Sequence, residues 1–96
     1  VQTAKPILMS DQQVESISRA VADPRRFAIF RQIARDGDLL CVALDAHQSL
    51  SPATISHHLT VLQEAGLVEV AREGRSARIT LQRANWQAYL DTLASF

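Results

Sequence analysis

Ninety-six residues with ten basic side chains, ten acidic ones and a single cysteine make one domain with a modest core, too short for a deep catalytic pocket and lacking the paired cysteines of a disulfide scaffold. The formal net charge of zero excludes a protein that coats nucleic acid through bulk positive charge, so any anionic partner must be met by local basic clusters. No apolar run approaches the roughly 20 residues of a membrane-spanning helix, and no secretory signal is visible, so the chain reads as cytoplasmic with no membrane partner; its start at Val1 in place of Met points to trimming at that end.

In chain order, residues 1–9 read as an arm of mixed polarity containing Pro6, and residues 10–96 as a single domain. Ser10 followed by Asp11 caps a first helix whose apolar stripe is Val14, Ile17 and Val21. Asp23-Pro24 ends that helix and starts a second, with Phe27, Phe30, Ile33 and Ala34 facing inward until Asp36-Gly37 stops it. The following Leu39-Leu40-Cys41-Val42 suits either a short strand or the opening turn of a third helix; a brief extended segment is favoured, with a short helix then running to about His47. Gln48-Ser49-Leu50 makes the turn into Ser51, giving two helices joined by a tight turn.

The stretch Ser51–Gly66 is the most informative. Ser51 is an N-cap, Pro52 fits the first helical turn and Gly66 supplies a left-handed stop. Ile55, Leu59 and Leu62 share one face, while Ala53, His57, Thr60 and Glu64 fall opposite, and from Ser51 to Gln63 there is no Asp, Glu, Lys or Arg. A short-chained, uncharged, hydrogen-bonding face suits the base edges of the DNA major groove, which Ser, Thr and His can read and an Ala or Thr methyl can touch. Ser51, Ala53, Thr54, Ser56, His57 and Thr60 are therefore candidate DNA contacts. His58, at the edge of the apolar stripe, is read as either packed or phosphate-contacting.

After Gly66 the period changes to alternation. Leu67, Val68 and Val70 precede Arg72-Glu73-Gly74-Arg75, and Ala77, Ile79 and Leu81 follow it, which predicts a β-hairpin tipped by Gly74. Nine of the ten basic residues are arginine, the side chain best matched to phosphate. Arg72, Arg75 and Arg78 lie at or beside the tip, placing them on backbone phosphates or in the minor groove; the plainer alternative is a solvated arginine surface. A last helix from about Arg83 to Ala94 carries Trp86, Tyr89, Leu90 and Leu93, a broad stripe that either packs on the first helix or joins Val14, Ile17 and Val21 in a homodimer interface.

In this order and spacing the residues resemble the ArsR/SmtB family of winged helix-turn-helix transcriptional repressors. Val21-Ala22-Asp23-Pro24-Arg25-Arg26-Phe27, Leu50-Ser51 through Ser56-His57-His58-Leu59, Leu62 with Ala65-Gly66-Leu67-Val68, and the Arg72–Arg75 tip carry the likeness. It implies a mainly α fold with a small β-hairpin in the order α-α-α-α-β-β-α, and a homodimer that binds a pseudo-palindromic double-stranded DNA operator and leaves it when an inducer binds or the protein is modified. The operator and the inducer stay unidentified. Counting back without gaps from Leu50-Ser51, the family's Cys-x-Cys metal pair falls on Leu40 and Val42, and the last helix holds Asp91 alone with no His, so neither usual metal site is present.

His47 stands alone, and His57 and His58 point about 100° apart on a helix, which does not assemble a metal site. Neither a metal nor a cofactor is expected. Cys41 is a candidate redox sensor, weighed against a small buried hydrophobe in its apolar run, and the latter is preferred. No glycine-rich phosphate loop or nucleophile elbow is present, so an enzyme is rejected. The alternative from a different class is a winged-helix module that contacts another protein without binding DNA.

Overall fold

The side chain of Ser10 accepts from the Gln13 backbone N–H at 3.2 Å, and the Gln13 side-chain oxygen accepts from the Ser10 N–H at 3.2 Å. This reciprocal pair opens α1 (Asp11–Ala22), where the Ser-Asp signature placed it. Across the computed structural model, which describes residues 8–40, 44 and 50–96, the elements that follow are α2 (Pro24–Asp36), β1 (Asp38–Leu40), α3 (Pro52–Glu64), β2 (Val68–Glu73), β3 (Ser76–Leu81) and α4 (Arg83–Ala94). Arm residues 1–7, Cys41, the short helix expected to end near His47 and the turn residues Gln48 and Ser49 lie outside the described residues.

A single residue, Asp23, joins α1 to α2 and caps the second helix, accepting from the N–H groups of Arg25 and Arg26 at 2.9 and 3.0 Å. Pro24 occupies the first turn, where its missing N–H leaves no bond unmade. Gly37, at φ 81°, ends α2 and returns its N–H to the Ile33 carbonyl. The chain then runs straight into β1, which pairs antiparallel with β3 at Leu39 opposite Ile79. The extended reading of this segment holds for Asp38–Leu40, and it enlarges the expected hairpin to a three-stranded sheet of order β1-β3-β2. Its hairpin half pairs Val68 with Leu81 through Glu73 with Ser76, leaving Gly74 and Arg75 as a two-residue tip.

α3 starts and stops on the residues its sequence advertises. The Ser51 hydroxyl accepts from the Thr54 N–H at 3.1 Å. At the far end Gly66 donates to the Gln63 carbonyl and Leu67 to the Leu62 carbonyl, a Schellman closure that needs the left-handed φ of 80° at Gly66. The turn also holds α4, because the Asn85 side chain donates to the Gly66 carbonyl at 2.8 Å.

The core is the common interior of these elements. Ile17, Ile29, Phe30, Ile33, Leu62, Leu67 and Ile79 are fully buried, and Leu44 and Leu50 add to them from either side of the undescribed stretch. Phe30 meets Trp86 edge-on at 4.9 Å, Trp86 stacks on Tyr89, and the Tyr89 hydroxyl hydrogen-bonds Ser18 at 2.9 Å, which docks α4 onto α1 and α2. One inward assignment is corrected. Phe27 lies at the solvent edge, 37% exposed, with the Arg31 guanidinium 5.8 Å above its ring. At the first turn of α2 the helical stripe has not yet come under cover, and the arginine shields the ring instead. Among the described residues no helix is long and apolar enough to cross a membrane.

Replacing Gly66 by Ala places a Cβ 3.3 Å from Asn85 Nδ2 on a left-handed backbone. The expected loss is about 1–2 kcal/mol of unfolding free energy, read as a lower urea midpoint with an unchanged slope.

Candidate nucleic-acid interface

One side of α3 is turned to solvent. Ala53, Ser56, His57 and Thr60 are exposed there, while His58, Leu59 and Leu62 are buried and Ile55 is half-buried, so the apolar and polar faces separate as their spacing requires. Ser56 and His57 make no side-chain hydrogen bond among the described residues. The Thr60 hydroxyl donates to the Ser56 carbonyl at 3.0 Å, which leaves its oxygen able to accept and its methyl outward. Ser51 and Thr54 do different work: their hydroxyls bond each other at 2.9 Å at the helix start, and Thr54 is half-buried.

The hairpin carries the charge that this face lacks. Arg72 and Arg75 are exposed near its tip and make no ion pair among the described residues. Arg78 is occupied: its guanidinium meets both oxygens of Glu73 at 2.7 and 3.1 Å and Asp38 at 3.0 Å. The fork ties the two hairpin strands to each other and to β1, holds Glu73 below the ordinary carboxylate range and raises the arginine's own pKa. Of the three arginines the sequence marks here, two are left facing outward and one braces the hairpin.

Behind α3 lies a contact that sequence spacing does not reveal. Arg26, in the first turn of α2, donates to the carbonyls of Ala20 at 2.5 Å and Arg19 at 3.2 Å, the last turn of α1. Its remaining nitrogen reaches His58 Nδ1 at 3.3 Å. A guanidinium has no acceptor, so Nδ1 accepts and His58 is the neutral Nε2–H tautomer. Burial depresses the His58 pKa, with Arg26, His57 and Arg25 adding to that effect and Asp23 opposing it. Of the two sequence readings for His58, packing is the one realised, since the residue is 6% exposed.

The expected dimer stripe is divided. Ile17 and Tyr89 are buried within the subunit's own core, Val14, Val21 and Trp86 are half-buried against it, and Leu90 and Leu93 stand 38% exposed on α4 beside the fully exposed Phe96. Among the described residues no three His, Cys, Asp or Glu side chains converge as a metal site. Cys41 and His47 are outside those residues.

The brace gives a direct expectation. Arg78→Ala leaves Glu73 and Asp38 unpaired and accelerates amide hydrogen exchange across Asp38–Leu40 and Ala71–Ala77, while protection in α1 and α2 stays at the wild-type level. Lowering the pH through the depressed Glu73 value reproduces the loosening in the wild type, because the pair's stabilisation is present above the ordinary carboxylate range and is lost as the group protonates.

Comparison with known proteins agrees with this arrangement. Residues 21–71 match a helix-turn-helix domain family. An uncharacterised HTH-type transcriptional regulator of Methanocaldococcus jannaschii is 36% identical over 64 residues, covering 66% of this chain and 71% of that protein. A transcriptional repressor SmtB homolog of Synechocystis is 33% identical over 85 residues, covering 84% of this chain and 63% of that one, so the chain spans less than two thirds of that relative's length. The solved ArsR-like transcriptional regulator from Rhodococcus superposes with a TM-score of 0.74 at 29% identity, over 86% of this chain and 77% of that one. A mainly helical domain with an exposed polar helix beside a braced hairpin, matched in sequence and in fold by transcriptional regulators, belongs to the ArsR/SmtB family of winged helix-turn-helix DNA-binding transcriptional regulators.

Proposed function

We propose that the chain is a repressor that binds a pseudo-palindromic operator as a homodimer, with α3 in the major groove and the β2–β3 wing on the adjacent backbone. The observation that carries this reading is the exposed, charge-free and hydrogen-bonding side of α3, flanked by outward arginines that make no ion pair among the described residues. Ala53, Ser56, His57 and Thr60 are the base-reading residues in this proposal. Ser51 and Thr54 present the helix N-terminus, Arg72 and Arg75 take phosphates or the minor groove, and Arg78 sets the wing's shape. Leu40 stands where the family resemblance implies a metal cysteine and Asp91 is the last helix's lone acidic residue, so release is proposed to follow a signal other than the usual family metals.

An electrophoretic shift with random and genomic fragments, followed by footprinting on the bound ones, tests the reading. Failure to prefer any sequence at moderate salt refutes it and favours a module that docks on protein. Ser56→Ala or His57→Ala is expected to relax base preference at one operator position at a cost of about 1–3 kcal/mol. Arg75→Ala weakens all sequences alike and lowers the salt slope by about one. In the same assay, stoichiometric zinc leaves the complex intact.

The dimer is proposed to form through the outward edge of α4, Leu90 and Leu93, with Val14, Val21 and Trp86 beneath it. Two copies of α3 must reach half-sites about 34 Å apart, and the exposed leucine pair on α4 is an apolar surface able to hold them. Light scattering at micromolar concentration is expected to give the mass of two chains. Leu93→Glu gives one chain and loses operator affinity; a wild-type monomer in that measurement sinks the arrangement.

A further inference from the structure

We propose that Arg26 and His58 are positioning residues that lock α3 to the end of α1, and that protonation of His58 releases the lock and weakens DNA binding. The proposal rests on the reading of α3 as the recognition helix.

Three observations carry it. First, Arg26 cannot retreat. Two of its nitrogens are held by the Ala20 and Arg19 carbonyls, at the α1 terminus whose unsatisfied oxygens and partial negative charge favour a cation. Its backbone N–H is held as well, by the cap carboxylate of Asp23. Second, His58 Nδ1 lies within hydrogen-bond distance of that guanidinium, at 3.3 Å, in a part-buried contact whose imidazole is itself buried. Third, His58 lies one residue from His57 and two from Ser56 and Thr60, so a shift of its ring is a shift of the reading face.

A proton arriving on Nδ1 removes the only acceptor that this contact has and sets an imidazolium against a guanidinium. The groups that face His58 are Arg26 and Arg25 from α2, His57 from α3 and Asp23 from the α1–α2 junction. Among the described residues only Asp23 favours the imidazolium, and its Oδ1 is already engaged by two backbone N–H groups. Because Arg26 is pinned, His58 and the helix that bears it must give way. The sign follows from the depressed pKa, whose largest cause is burial: the locked state is held in full above the ordinary imidazole value of about 6.5 and is lost as pH falls through the lower folded value. His57 is exposed and makes no side-chain hydrogen bond among the described residues.

The experiment uses the full chain and the duplex that the wild type selects from a random-sequence library at pH 8. Its Kd is measured from pH 8 to pH 5.5 for the wild type, for His58→Asn, whose amide oxygen can accept from Arg26 but cannot take up the proton, and for Arg26→Lys. Both His58→Asn and the wild type keep His57, so its contribution cancels in their ratio. The ratio of wild-type to His58→Asn Kd is expected to rise about five-fold or more across this range, and Arg26→Lys to bind more weakly than the wild type at pH 8 with a flatter pH profile. A ratio that stays constant overturns the proposal while the DNA reading stands; a wild type that selects no duplex overturns that reading itself. Independently of DNA and of any variant's folding, nitrogen-15 spectra of the wild-type imidazole at pH 8 are expected to show His58 as the Nε2–H tautomer. The Nδ1–H tautomer there excludes the contact.

Discussion

The arrangement depends on one junction. A single residue separates α1 from α2, so the carbonyls that end the first helix and the N–H groups that begin the second crowd together and need partners of opposite kind. Asp23 meets the N–H groups, and the Arg26 guanidinium turns back to meet the carbonyls. Because Arg26 is planar with donors on several edges, it reaches α3 from the same position. Lysine also has three donors, but all on one nitrogen, and so lacks the spread of the planar fork. Three helices thus share one side chain.

Much of this was legible in the chain. Ser10, Asp23-Pro24 and Ser51-Pro52 named the helix starts, Gly37 and Gly66 named two of the ends, and the alternation around Gly74 named the hairpin, because caps and tight turns are local chemistry. What escaped was non-local. Arg26 meets His58 across 32 positions and Arg78 meets Asp38 across 40, and no periodicity encodes such pairs. Phe27 misled because a helical stripe marks direction and not depth of cover. β1 was ambiguous because three residues bear no period at all; its strand character comes from the pairing with β3. The candidate face of α3 lay open in the sequence, whereas the division of the arginines into outward and braced required the carboxylates to be placed in space.

The zero net charge acquires a meaning from that division. Glu73 and Asp38 lie at the wing, where bare carboxylates would oppose a phosphate backbone, and Arg78 pairs with both, offsetting one of the two charges. Arg72 and Arg75, which make no ion pair among the described residues, supply outward charge near the tip of a chain neutral overall. Charge placed in local pairs and a few outward arginines, with no bulk positive excess, favours oriented contact over indiscriminate adhesion.

The sheet order has a consequence for how the molecule survives in a crowded solution. With β3 in the centre, β1 and β2 are both edges, and each edge is an open row of backbone donors and acceptors that a neighbouring chain can extend. β1 spans Asp38–Leu40 among the described residues and carries the charged Asp38 exposed at its start. β2 is longer, but it carries Glu69, Arg72 and Glu73 at exposed positions. A strand adding to it from another chain would have to lie against alternating charges. The residues that shape the wing therefore also guard it against aggregation.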